Sequence, residues 1–198
     1  MNTLQEIATH IATCTDCPLS RSRTHTVPGD GSPDSGLVFI GEAPGFYEDQ
    51  QGLPFVGAAG RFLEELLHSI GLDRKRVFIT NVIKCRPPNN RDPLPAEITA
   101  CTKHLMLQLE ILKPKVVVTL GRYSLAHFLP NESITRVHGR PRRVGDVTVF
   151  PMFHPAAALH QQRYRQVIID DMKALPSLLS APPPKKEEPP HTTQLQMF

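Results

Sequence analysis

No apolar run in these 198 residues approaches the ~20 residues that a membrane-crossing helix needs. The opening segment, Met-Asn-Thr-Leu-Gln-Glu-Ile-Ala, has no basic cluster ahead of a long apolar core, so it does not read as a secretory signal, and a cytoplasmic setting is expected. Net charge is only +3, too little to argue for a polyanionic partner by itself. There is no internal repeat. Cysteine is scarce, with four in the whole chain. In a reducing compartment those thiols stay unpaired, which disfavours two disulfides and favours a shared metal or cluster.

The spacing of the four supports that reading. Cys14 and Cys17 form a Cys-Thr-Asp-Cys pair, Cys85 follows an apolar segment, and Cys101 lies on a predicted helix. A C-x2-C pair with two separated cysteines can hold either zinc or an iron–sulfur cluster, and spacing alone leaves both open.

Four short apolar runs read as buried strands: 37–40, 77–83, 116–121 and 147–153. Pro151 inside the last suggests an edge position. Between them, apolar residues recur at helical spacing over 3–12, 58–70, 96–112, 122–129 and 163–175, with Gly71 and Pro114 as stops. The proline-rich stretch 86–95 reads as a loop. Buried strands alternating with helices predict an α/β fold: a three-layer α/β/α sandwich around a four-stranded parallel sheet. The expected catalytic domain covers residues 1–178, and 179–198 form a proline-rich, extended tail.

In such folds ligands bind at the carboxyl ends of the strands, and the chemically suggestive residues collect there. The first strand runs into Gly-Glu-Ala-Pro-Gly at 41–45, where Gly41 permits close backbone approach and Glu42 offers a carboxylate. No lysine or serine follows, so this is not a Walker-type phosphate loop. The second strand carries Asn81, whose amide offers the donor and acceptor that match a nucleobase edge. The fourth leads into His154-Pro155, an imidazole able to donate a hydrogen bond or exchange a proton near neutral pH. Phe55 could stack on a flat ring.

Taken together, Gly-Glu-Ala-Pro-Gly, the downstream Gly-Leu-Pro-Phe-Val-Gly, Thr-Asn-Val-Ile-Lys-Cys-Arg-Pro-Pro and His-Pro-Ala-Ala-Ala resemble the family 4 uracil-DNA glycosylases, over about residues 4–178 and in the right order. The resemblance implies a [4Fe–4S] cluster on Cys14, Cys17, Cys85 and Cys101. It also implies hydrolysis of the N-glycosidic bond of a flipped-out deoxyuridine, in single- or double-stranded DNA, to start base-excision repair. Phe55 would stack on uracil and Asn81 would read its polar edge. Glu48 would crowd the ring's 5-carbon and exclude thymine, and backbone groups of Gly41, Glu42 and Ala43 would complete the pocket. His154 would stabilise the departing uracil anion, and Glu42 would either stabilise the sugar cation or orient water. Ala43, where a DNA-trapping relative carries glutamine, implies ordinary turnover.

Arg140, Arg142 and Arg143 are expected phosphate partners, in a cluster that also holds Arg136 and His138. Leu159, the one large residue soon after His154, could fill the gap left by the extruded base. At the chain end, Gln194, Leu195, Met197 and Phe198 resemble the peptides that dock on bacterial sliding clamps. A monomer is expected. The alternative reading is a metal-stabilised DNA-binding or clamp-associated adaptor without glycosylase activity.

Overall fold

The computed structural model describes residues 1–180, and the expected clamp peptide with most of the tail lies outside them. The sheet is larger than the four strands expected. Its order is β1-β3-β2-β4-β6-β5, where β1 is Asp30–Gly31, β2 Leu37–Gly41, β3 Phe78–Asn81, β4 Val116–Leu120, β5 Arg142–Val144 and β6 Val147–Met152. The four central strands are parallel, as anticipated. Two short strands, β1 and β5, add antiparallel pairs at either edge. β6 is therefore not an edge strand. Pro151 is tolerated because β5 pairs only with Val147 through Val149, while beyond it the Gly139 N–H donates to the Pro151 carbonyl.

Alternation along the strands divides the core. Leu37 and Phe39, with Val116, Val118, Leu120, Phe150 and Met152, face one side. There they meet α3 (Ala58–Ser69), α7 (Pro155–His160), α8 (Arg163–Lys173) and α9 (Leu175–Ser180). Val38, Ile40, Phe78 and Val117 face the other, against α4 (Pro95–Leu112), with α5 (Arg122–Phe128) at its margin. Leu63, Leu66 and Leu67 are all but inaccessible, each worth about 1.5–3 kcal/mol of burial. Helix α1 (Leu4–Ala12) packs on α4 through Ile7 and Ile11, with Thr3 accepting the Glu6 N–H as its N-cap. Helices α2 (Phe46–Gln51), α6 (Ile134–Val137) and α7 are additional to the expected elements.

One departure shapes the site. The strand expected over 77–83 ends at Asn81, yet the chain keeps close to its neighbour: Val82 N–H donates to Gly41 O and Ile83 N–H to Glu42 O. Loop 86–95 is pinned by buried Glu97, whose carboxylate takes two bonds from Arg91 (2.6 and 2.9 Å) and one from the Leu94 N–H. The last helix breaks at Ala174, and α9 carries helical structure to Ser180, past the boundary expected at 178.

Candidate active site and thiol site

Gly41 and Asn81 are register partners at the carboxyl ends of β2 and β3. Gly41 is required by space. A Cβ there would lie 2.4 Å from Asn81 Oδ1 and 2.7 Å from Phe55 Cζ, so the amide and the phenyl ring meet directly over this backbone. Phe55 holds a left-handed conformation (φ 53°), unusual for a bulky residue and costing about 1–3 kcal/mol. The surroundings hold it in place. Arg74 donates to the carbonyls of Phe55 and Pro54 (2.9 and 2.6 Å). Glu48 Oε1 accepts the N–H groups of Val56 and Gly57, both at 2.9 Å. Gly60 leaves room for the Phe55 carbonyl, which a Cβ would meet at 1.9 Å.

His154 closes the other side. It follows β6, and its ring stacks on Phe55 with centroids 5.5 Å apart and planes 28° from parallel. Nδ1 accepts the Ala156 N–H at 3.1 Å, so a neutral ring carries its proton on Nε2. Burial lowers the imidazole's pKa to about 4, against which nearby Glu48 only partly pulls, so the ring is neutral at pH 7. Gly121, at the end of β4 with φ 91°, leaves room for it: a Cβ there would lie 3.2 Å from His154 Cβ. Four strand ends thus converge on one cluster, which unites Gly41, Phe55, Asn81 and His154, with Glu48 bracing the Phe55 segment.

Glu42 is the next residue after Gly41. Burial raises its carboxyl to about 7. Asp92 pushes in the same direction and Arg122 against it. Asp92 and Arg122 are ion-paired, joining loop 86–95 to the start of α5, and the Arg122 guanidinium lies 4.8 Å from the Tyr123 ring centroid. Neither Asp92 nor Arg122 was singled out from sequence. Both are ordinary exposed residues whose relevance is purely spatial. Ala43 packs its methyl against the α4-side core, leaving only its backbone for a ligand.

The arginines divide. Arg142 and Arg143 pair with Val149 and Thr148 near the start of β6, away from the strand's carboxyl end, and Arg143 is engaged by Gly145 O and Asp146. Arg140 is exposed next to Gly139, which bonds to Pro151, closer to the pocket end of the strand. Leu159 stands exposed on α7, five residues beyond His154.

On the α4 side, the four thiols line one pocket with Ile11, Arg23 and His104. A tetrahedral zinc with ~2.3 Å bonds would draw its sulfurs to about 3.8 Å of one another. Among the described residues, the trio that comes within 4.8 Å is Cys14, Asp16 and His104, not three cysteines. The four sulfurs share one pocket without standing at the spacing of a closed metal site. Donors already point at the sulfurs: Arg23 Nη1 to Cys85 (3.2 Å), the Lys84 N–H to Cys101 (3.3 Å), and His104 Nε2 3.5 Å from Cys14. Burial holds the Cys101 thiol up at about 11, so a bound cation is needed to make it a thiolate at neutral pH.

The uracil DNA glycosylase superfamily model matches residues 28–173. The chain is 44% identical to a type-4 uracil-DNA glycosylase of Sulfurisphaera tokodaii, over 92% of this chain and 87% of the relative. It is 44% identical to that of Archaeoglobus fulgidus over 90% and 94%, and 42% identical to that of Thermotoga maritima over 89% and 94%. With its strand-end cluster, its four thiols and these matches, the chain belongs to the type-4 branch of the uracil DNA glycosylase superfamily.

Proposed function

We propose that this chain hydrolyses the N-glycosidic bond of deoxyuridine in DNA, leaving an abasic site. The observation that carries the proposal is the neutral His154 stacked on Phe55, with Asn81 over Gly41: a flat slot with an amide at its edge and an N–H donor on its wall. A base inside a duplex cannot reach such a slot, so the nucleotide must flip out, at a cost of a few kcal/mol offset by stacking and hydrogen bonds. Phe55 stacks on the pyrimidine and Asn81 pairs with its polar edge. Cytosine presents a donor where uracil presents an acceptor, and the mismatched amide opposes its entry. Glu48, fixed by two backbone donors, is held rigid enough to exclude a 5-methyl group.

As the bond breaks, negative charge grows on uracil. The Nε2–H of His154 donates to a uracil oxygen without itself being a cation, and burial strengthens that bond. Glu42, next to the Asp92–Arg122 pair, serves the sugar side, as a base for water or as a counter-charge to the developing cation. Leu159 fills the stack vacated by the base, and Arg140 contacts phosphate.

Cys14, Cys17, Cys85 and Cys101 are proposed to hold a [4Fe–4S] cluster: the four thiols line one pocket, with N–H donors aimed at their sulfurs. Such a cluster supplies a covalent tie between the N-terminal segment and the β3–α4 region. The terminal Gln194, Leu195, Met197 and Phe198 are proposed to dock on a sliding clamp, raising the enzyme's effective concentration on DNA. Loss of clamp retention on deleting 194–198 tests that.

Incision of oligonucleotides bearing uracil, hypoxanthine or a thymine mismatch tests the main reading. Uracil alone is expected to be released in quantity. A chain that binds these oligonucleotides and releases no base is the adaptor instead.

A further inference from the structure

Two large aromatic rings stand exposed side by side where none is needed for the core. Phe46 and Tyr47 open α2, directly after the 41–45 motif, and remain 48% and 60% exposed. Their rings meet edge to face, 5.5 Å apart. Arg86, on the loop that follows Cys85, lays its guanidinium 5.0 Å from the Phe46 centroid. Its Nε donates to Asn90 Oδ1 at 2.6 Å, which holds the guanidinium in place. Tyr47 reaches back toward Gly57, whose notional Cβ would lie 3.6 Å from Tyr47 Cδ2. The next residue is Glu48, which braces the pocket wall. The patch is thus built onto the rim of the pocket, and it combines apolar ring faces with a fixed cation.

That chemistry suits one occupant. Successive bases of a single strand stack on aromatic faces, while the connecting phosphate seeks a cation. A peptide or lipid partner would not need ring faces and a fixed guanidinium on the segment that leads into the Glu48 wall. We infer that Phe46, Tyr47 and Arg86 form a subsite for the nucleotide adjacent to the excised uracil: a ring of the pair stacks on that neighbour's base and Arg86 meets its phosphate. This rests on the proposed glycosylase reading and adds a consequence to it. In a duplex the neighbour is already stacked and paired, so the subsite favours substrates in which it is free, and the enzyme prefers single-stranded DNA.

The test uses the full chain and single-stranded oligonucleotides with one central uracil. In each, the 5′ or the 3′ neighbour is left intact or replaced by a base-free tetrahydrofuran unit. In the wild type, removing the base on one side should raise KM about tenfold, the size expected for one lost base–aromatic stack. In the Phe46→Leu/Tyr47→Leu double variant, which keeps apolar bulk but no ring faces, that ratio should fall to about one. The preference for single over double strands should shrink with it. Both rings are exposed, so an unchanged thermal midpoint is expected and confirms that the variant is folded. A wild type indifferent to both neighbours overturns the inference, as does a variant that keeps the full ratio. Binding is followed in parallel by the fluorescence of 2-aminopurine placed beside the uracil. A protein that binds but releases no uracil therefore fails the glycosylase reading while the binding ratio still decides this one.

Discussion

If Glu42 must be ionised to act, its raised pKa should govern the pH profile of uracil release. An ordinary glutamate is more than 99% ionised at both pH 7 and pH 8, so it gives no slope there. With a midpoint at about 7, the ionised fraction is about a tenth at pH 6 and about nine-tenths at pH 8. Single-turnover rates should therefore climb about tenfold between those values and level off above them. Neighbouring charges offer a directional check. Asp92 raises the Glu42 midpoint and Arg122 lowers it. Asp92→Asn removes the first and frees the second, so both effects move the limb to lower pH. Arg122→Gln moves it to higher pH. Both partners are more than half exposed, so these displacements should shrink in high salt. The dominant contribution, burial, does not screen, and the limb should stay above pH 4.5 in either variant.

Linkage supplies a second readout with its own sign. The folded-state pKa lies above the unfolded one, so the folded protein binds more protons between about pH 4.5 and 7, and stability falls as pH rises through that window. Glu42→Gln removes the loss, and its thermal midpoint should exceed wild type at pH 8 but not at pH 4. A limb that survives in Glu42→Gln, or that ignores both Asp92→Asn and Arg122→Gln, would show that another group controls the rate.

Other perturbations follow from the same geometry. Gly41→Ala places a methyl within 2.4 Å of Asn81 Oδ1 and should remove at least 99% of uracil release while circular dichroism stays that of a folded chain; retained activity would mean that the amide and phenyl ring do not form the pocket. His154→Ala should lower the single-turnover rate about 10²–10³-fold by deleting one donor to the leaving group, with single-stranded DNA affinity measured by anisotropy largely intact. Asn81→Ala should behave alike, and near-wild-type turnover in both variants rules out the assignment. If the proposed cluster occupies the thiol site, chelation that removes it should lower the thermal midpoint and weaken DNA binding together, measured by scanning calorimetry and anisotropy; unchanged values of both contradict a tethering role.

Much of the architecture was legible because burial writes itself into composition. The runs ending at Ile40 and Leu120 are continuous apolar segments, as strands covered on both faces must be. The edge strands were not legible, because Asp30–Gly31 and Arg142–Val144 are polar and pair on one side only. Arg142 and Arg143, expected with Arg140 to meet phosphate, therefore gave no sign that the turn at Gly145 and Asp146 places them on one strand of a hairpin. Helices α2 and α7 were hidden for a different reason. Each is six residues long and opens beside Gly45 or at Pro155, where glycine and proline read as turn residues. The site's reactive residues could be named from motifs. What holds them could not: Arg74 on the Phe55 carbonyl, Glu48 on two backbone N–H groups and Ala156 setting the His154 tautomer are contacts between segments with no shared pattern.

Lys84 shows how far such a contact can reach. In sequence it is one more charged residue before a cysteine, yet its side chain is completely inaccessible. Its amine donates to Thr80 Oγ1, to the Asn81 carbonyl and to Gln108 Oε1 at 2.6–2.7 Å, while Gln108 Nε2 and Thr80 Oγ1 both donate to the Pro28 carbonyl. Its own backbone N–H meets Cys101. Three bonds saturate the Lys84 amine where water is excluded, even as burial lowers its pKa to about 7, and leaving any one acceptor unmet costs about 1–3 kcal/mol. The end of β3 is thus held by a saturated buried network that is continuous with the thiol pocket on one side and with Asn81 on the other. A group that ties Cys85 to Cys101 also fixes the residue that bonds to the backbone of Asn81, so the thiol site can set the register of the active pocket without contributing an atom to it.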